Sequence, residues 1–305
     1  MNHQTLLLVV TFASASILIF ILRKVKQAQN STKPPPGPYP FPIIGNILEL
    51  GKNPHKALTK LSKTYGPIMT LKLGTITTIV ISSPQLAKQV LQENSHIFSN
   101  RTVSDAICAL DHDKFSIGTL PTLALWKKLR KICATKVFSP KMLDSTKNIR
   151  QQKLQELLDY VTDKCNKGEA FDIGEAVFTT ILNSVSNTLF SMDLVHSTHD
   201  KKSQVFENIM RGLSELSGKP NIADFFPILR PLDPQRLCAK MAIHLGSLFE
   251  IIGGIIEERR ASKTDSDQVC NDVLDSLLNN DGENISDQLS PKEMFHLLPV
   301  SVIFS

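Results

Sequence analysis

From Leu6 to Leu22 the chain reads LLLVVTFASASILIFIL, a run of 17 residues without a charge. At a rise of about 1.5 Å per residue a helix of this length covers about 25 Å, enough to cross the hydrocarbon core of a bilayer. Arg23, Lys24 and Lys26 follow at once, whereas Asn2, His3 and Gln4 on the other side include no Lys or Arg. This asymmetry predicts an amino terminus outside the cytosol and everything after Arg23 on the cytosolic side. A cleaved signal peptide needs its positive charge before the apolar run and a small-residue cleavage site after it. Neither is present, so residues 5–22 are expected to be a retained, single-pass transmembrane anchor.

Hydrophobic residues make up 42% of the 305-residue chain and charged residues 21%, the mix of a globular domain rather than of a disordered or polytopic one. The net charge of +5 is spread along the chain without a basic stripe, which excludes nucleic acid as an expected partner. Cys108, Cys133, Cys165, Cys238 and Cys270 are far apart and form no C-x-x-C pair. They are expected to be reduced thiols acting as small hydrophobes, with no metal site among them. Asp111-His112-Asp113 is expected to be a solvated turn rather than a metal cluster, since adjacent loop residues rarely converge on one ion.

Residues 23–42 hold the basic stop and Pro34-Pro35-Pro36-Gly37-Pro38, then Pro40 and Pro42. Such a stretch is stiff and extended, and reads as a hinge above the membrane. Asn53-Pro54 opens a short helix. Ile68–Leu73 and Ile76–Ile81, separated by Gly74-Thr75, read as a β-hairpin. Ser83 is the expected N-cap of a helix running to about Gln92. Residues 100–121 read as a long loop with one helical turn. From Leu123 onward helices dominate. Ile173, Val177, Ile181, Val185 and Leu189 predict one buried stripe, and Leu237, Met241, Leu245, Leu248, Ile252 and Ile255 another, in a helix ending near Arg260. Ala261 to Asp267 reads as flexible, Asp267 to Asn279 as a short helix, and Pro291 as the start of a final one. The proline-spaced loop from Lys219 to Gln235 carries Phe225-Phe226, which could touch a membrane surface.

The order of several motifs points to a family. After the anchor come Phe41-Pro42-Ile43-Ile44-Gly45-Asn46, Tyr65-Gly66-Pro67-Ile68-Met69 and Phe98-Ser99-Asn100-Arg101. Then follow Trp126-Lys127-Lys128-Leu129-Arg130-Lys131, Phe138-Ser139 and Pro220-Asn221-Ile222-Ala223-Asp224-Phe225-Phe226-Pro227. Together they resemble the amino-terminal part of a plant microsomal cytochrome P450, nearest the terpenoid hydroxylases of the geraniol hydroxylase type. The resemblance implies a mainly α fold with a small β-sheet, preceded by one transmembrane helix, on the cytosolic side of the endoplasmic reticulum membrane. It also implies a haem held by a cysteine thiolate, electrons from NADPH through a membrane reductase, and hydroxylation of a small lipophilic substrate such as a monoterpenoid.

Trp126 and Arg130, four residues apart, share one helical face, so an indole N–H and a guanidinium can converge on one anionic group. Spacing alone fits a core Trp beside a surface Arg as well; the resemblance implies that the pair holds a haem propionate. It also implies that Ile107, Leu110, Phe115, Ile117 and Leu120 roof a substrate pocket, closed from the other side by Ile209, Leu213 and His244. Ordinary core packing is the alternative for each of these eight.

No cysteine here stands in the family's Phe-x-x-Gly-x-Arg-x-Cys-x-Gly loop, and the family's proton-relay stretch is absent. Residues 43–298 are therefore expected to be an incomplete monooxygenase domain with no catalytic residues of its own. Residues 299–305 read as an aberrant tail, because Pro299 should break the final helix. The chain alone is expected to be inactive, its apolar stripes at 171–190 and 237–260 left exposed. The competing expectation is a non-catalytic, membrane-bound interaction protein that binds reductase or full-length relatives.

Overall fold

The computed structural model describes residues 34–195, 201–265, 272–278 and 289–303; the expected anchor lies outside them. The chain divides into two compact units after Asn94.

In the first unit, helix α1 (Pro54–Tyr65) precedes strands β1 (Ile68–Leu73) and β2 (Ile76–Ile81). The strands pair antiparallel from Ile68 opposite Ile81 to Leu73 opposite Ile76, the expected hairpin. The end of the proline-rich stretch is more than a spacer. Prolines have no N–H to give, but the Pro36 carbonyl accepts the Thr70 N–H at 2.9 Å, docking the stretch on the free edge of β1. Ten residues on, buried Asn46 imitates a strand residue: its Oδ1 accepts the Lys72 N–H at 2.9 Å, and its own N–H donates to the Lys72 carbonyl. Both glycines of the motif follow from this close approach. A Cβ on Gly37 would stand 1.9 Å from the Thr70 oxygen, and one on Gly45 1.9 Å from the Lys72 oxygen. Gly45 also has φ +62°, in the left-handed region. Ser83 caps the helix at Pro84–Lys88 as expected, its Oγ accepting the Leu86 N–H at 3.1 Å.

The second unit is helical: α2 (Ala124–Ile132), α3 (Lys147–Lys167), α4 (Ile173–Phe190), α5 (Lys201–Gly218), α6 (Leu237–Asp265), α7 (Val273–Leu278) and α8 (Pro291–Ile303). Its core centres on α6. The six stripe residues from Leu237 to Ile255 are all at most 7% exposed, covered by α5, α8 and the segment 105–111. The expectation that this stripe would lie bare is therefore wrong. By length and composition the 237–262 part of α6 could cross a membrane, but the burial of its stripe makes it an interior helix.

α6 also runs past the Gly253-Gly254 pair and past Arg260 to Asp265, where flexible chain was expected. Two interior glycines cost about 1 kcal/mol each. Burial of Ile252, Ile255 and Ile256 around them offsets more than that, at about 1.5–3 kcal/mol per side chain.

The stripe expected on α4 is only half correct. Leu189 is buried, but Ile173, Val177 and Ile181 are 53%, 37% and 49% exposed. At about 100° per residue each four-residue step turns about 40°, so Ile173 points about 160° away from Leu189. The face that is buried instead carries Leu182, Asn183, Ser186, Leu189 and Phe190. The α6 residues advance by 4, 4, 3, 4 and 3, which averages one helical turn and keeps them on one side.

Two further expectations are corrected in α8. The helix does not break at Pro299 but continues to Ile303; its first turns are held by buried Met294, Leu297 and Leu298. His112, expected in a solvated turn, is 4% exposed and pairs with His296 of α8.

A buried ionic network joins three elements. Arg259 of α6 donates to Asp272 at 2.9 and 3.1 Å and to the Phe190 carbonyl at 2.8 Å, and lies 3.0 Å from Asp275 of α7. Ser191 adds a bond to Asp272 at 2.8 Å.

Candidate functional site

Helix α2 buries Leu129 and Ile132 and leaves Trp126 half-buried and Arg130 exposed on another side. The Arg130 guanidinium carbon lies 5.7 Å from the Trp126 ring centroid, a cation–π contact between residues one turn apart. Lys128 is committed elsewhere, to Glu293 of α8 at 2.9 Å. Among the described residues no carboxylate pairs with Arg130. A stacked, solvent-facing guanidinium beside an indole N–H fits a carboxylate such as a haem propionate, which Arg can bind bidentately.

Burial pushes the Cys133 thiol up to about 11, against the lowering effect of Arg130, and burial also raises Cys108 and Cys238. All four described cysteines are free, but Cys108 and Cys165 are exposed rather than packed as small hydrophobes. Among the described residues no three His, Cys, Asp or Glu side chains converge as metal ligands.

The loop at 101–121 is ordered by polar ties that its sequence did not suggest. Asp224, from the short helix Ile222–Phe225, accepts from Ser104 Oγ and from the Asp105 N–H, both at 2.7 Å. Ser99 meets Thr122 at 3.0 Å. Deeper in, His112 Nδ1 lies 2.9 Å from His296 Nδ1. Phe115 stacks on the His296 ring at 5.3 Å and Phe249 of α6 meets it edge-on at 4.8 Å. Burial, then the neighbouring His296, lowers the His112 pKa to about 4; burial also lowers that of His296. A buried side chain pairing across 184 residues leaves no local pattern, so nothing near either histidine signals it.

The expected substrate-facing residues fall in different surroundings. Leu110 is 47% exposed and reaches over Gly246 of α6, where an added Cβ would stand 3.9 Å from its Cδ1. His244 lies against Gly212 of α5 so closely that a Cβ there would meet its Nε2 at 2.5 Å. Ile107, Phe115 and Ile117 are half-buried, with Ile117 packed on the core. Leu120 is buried, and Ile209 and Leu213 sit inside the closed core at 4% and 1% exposure, so neither presents a free surface. A cleft of about 420 Å³ lies elsewhere, between α3 and α4, and is lined by Lys153, Glu156, Tyr160, Asp172 and Glu175 among others. Its lining includes none of the expected site residues.

The described residues form mainly helices with one small antiparallel hairpin. The match to the cytochrome P450 family covers residues 35–300, and the chain belongs to that family. It is 42% identical over 263 residues to a ferruginol synthase of Salvia miltiorrhiza, covering 86% of this chain and 52% of that protein. Carnosic acid synthase of Rosmarinus officinalis is 44% identical over 267 residues, with 86% and 53% covered. Geraniol 8-hydroxylase of Catharanthus roseus is 41% identical over 296 residues, with 96% and 57% covered. The chain thus spans about half the length of the curated relatives it matches.

Proposed function

We propose that these residues form the propionate-gripping and substrate-facing portion of a terpenoid monooxygenase on the cytosolic side of the endoplasmic reticulum membrane. The Trp126–Arg130 pair, with Trp126 half-buried, Arg130 exposed and no carboxylate partner among the described residues, carries this reading. The names of the relatives support terpenoid substrates. When bound, haem would supply oxygen activation, fed by electrons from NADPH through a reductase.

This chain's own residues would do three things. Arg130 and the Trp126 indole N–H hold an anionic carboxylate in place. Leu110, Phe115 and His244, with Ile107 and Ile117 behind them, exclude water around a lipophilic molecule. Ile209, Leu213 and Leu120 support that wall from within the core. The iron thiolate is not among these roles, since no cysteine of the 305 residues stands in the family's ligand loop. The chain by itself is therefore expected to lack a thiolate–haem signal, and residues 5–22 to anchor it in a single pass.

The test compares the 305-residue chain with a chimera that extends it by the carboxyl-terminal half of geraniol 8-hydroxylase, using the carbon monoxide difference spectrum. The chain alone should show none and the chimera should show one. In the chimera Arg130→Ala should weaken haem retention by at least about tenfold, the scale of a lost charge-assisted bond, and Arg130→Lys by less. A stoichiometric thiolate–haem spectrum from the chain alone refutes its dependence on further residues. Unchanged haem retention in Arg130→Ala refutes the grip. A chimera without haem, together with co-purification of the chain with a reductase, would favour the non-catalytic interaction protein.

A further inference from the structure

His112 and His296 serve no step of the proposed chemistry, yet both are at most 5% exposed and their Nδ1 atoms meet at 2.9 Å. Such a contact requires one ring to carry the Nδ1 proton and the other to be neutral and accepting there. It ties the loop segment 105–116 to α8 from inside the unit, with Phe115 and Phe249 closing over the pair.

The two residues just before His112 are strained. Leu110 and Asp111 stand at φ +55° and +60°, consecutive left-handed positions occupied by residues with side chains. Such conformations persist only where surrounding contacts enforce them. Leu110 is half-exposed, and Asp111 accepts a bond from Lys114 within the loop. Ala109 packs before the bend against the core, and His112 is the buried polar side chain that follows it.

We propose that the His112–His296 pair is a proton-sensitive latch on the 105–116 loop: neutral, it clamps the strained bend against α8, and protonation releases it. The second proton places two cations 2.9 Å apart, which no hydrogen bond survives. The charged groups around the pair are few. Asp111 and Asp113 from the loop favour protonated His296, Lys292 of α8 opposes it, and α6 presents uncharged Phe249. Both histidines bind protons less readily when closed than when open. The closed state is therefore at full strength above the ordinary histidine pKa of about 6.5 and weakens as pH falls below it, by about tenfold per pH unit for each histidine that takes up a proton on opening. That opening would admit substrate rests on the function proposed above; the latch itself does not.

Hydrogen exchange of the full 305-residue chain, corrected for intrinsic rates, tests the latch. Amides at 105–116 should open at least about tenfold more often at pH 5 than at pH 7.5, while those at the centre of α6 do not change. Asn can mimic the Nδ1 side of the ring, so the double variant His112→Asn/His296→Asn should keep the loop closed and make its exchange independent of pH. His112→Ala should open the loop at both pH values; if it does not fold, the Asn pair and the wild-type pH series decide. The latch is overturned if the double Asn variant keeps the wild-type pH dependence. It is equally overturned if the loop and α6 open together, or if the wild-type loop does not respond down to pH 5.

Discussion

Replacing Arg259 by Ala should be among the most damaging single changes to the helical unit. The guanidinium is 10% exposed and faces two carboxylates, Asp272 and Asp275, that are 2% and 3% exposed. Its removal leaves those carboxylates without their central cation, and a broken buried pair costs about 3–5 kcal/mol. The Phe190 carbonyl loses a donor at the same time, which adds to the loss. The neighbouring Arg260 provides an internal control. It pairs with Glu257 at 3.1 Å, but the partners are 51% and 74% exposed, so Arg260→Ala should cost no more than about 1 kcal/mol. Urea unfolding of the two variants, followed by far-ultraviolet circular dichroism, measures the difference through the shift in midpoint at constant slope. Equal and small losses would refute the reasoning, because they would mean that water already solvates the carboxylates and that burial in this network carries no penalty. Restoring part of the loss with Arg259→Ala/Asp272→Asn would support it, since removing one of the two buried charges removes part of the cost.

Three further outcomes follow from the packing. Leu248→Ala, at 1% exposure in the centre of α6, should cost about 2–5 kcal/mol in the same assay, whereas Ile173→Ala on the bare end of α4 should cost less than about 1 kcal/mol. Gly45→Ala should loosen the first unit, because a Cβ would stand 1.9 Å from the Lys72 oxygen at φ +62°; the check is faster amide exchange along β1, with exchange in α6 unaffected. Asp172→Ala should lower stability by about 0.5–2 kcal/mol, since its Oδ1 accepts the Gly174 and Glu175 N–H groups at 2.8 and 3.1 Å and caps α4; an unchanged unfolding midpoint would refute that role.

Local chemistry was legible in the residues themselves. The hairpin at 68–81, the Ser83 cap, the α6 stripe and the one-turn spacing of Trp126 and Arg130 all depend on neighbours within a few positions, where backbone geometry is set by residue type. The motifs carried the family as well, because glycines, prolines and an asparagine at fixed offsets record where backbones meet. Gly37, Gly45 and Asn46 are such a record, although the strand edge they meet is visible only in three dimensions.

What the sequence by itself determined is therefore the hairpin, the dominance of helix after Leu123, the family, and the apolar run from Leu6 to Leu22 as a candidate anchor. What only the tertiary structure decided is which faces are covered. The α4 stripe read as one face because its spacing is regular, but a four-residue period drifts around a helix of about 3.6 residues per turn, and packing selected another side. Ile209 and Leu213, expected to face a pocket, are buried at 4% and 1% exposure. The His112–His296 pair and the Arg259 network join segments far apart in the chain, and a hydrogen bond between distant residues imposes no periodicity on the sequence between them. Burial and long-range pairing are properties of the assembled core, and they appear only when it closes.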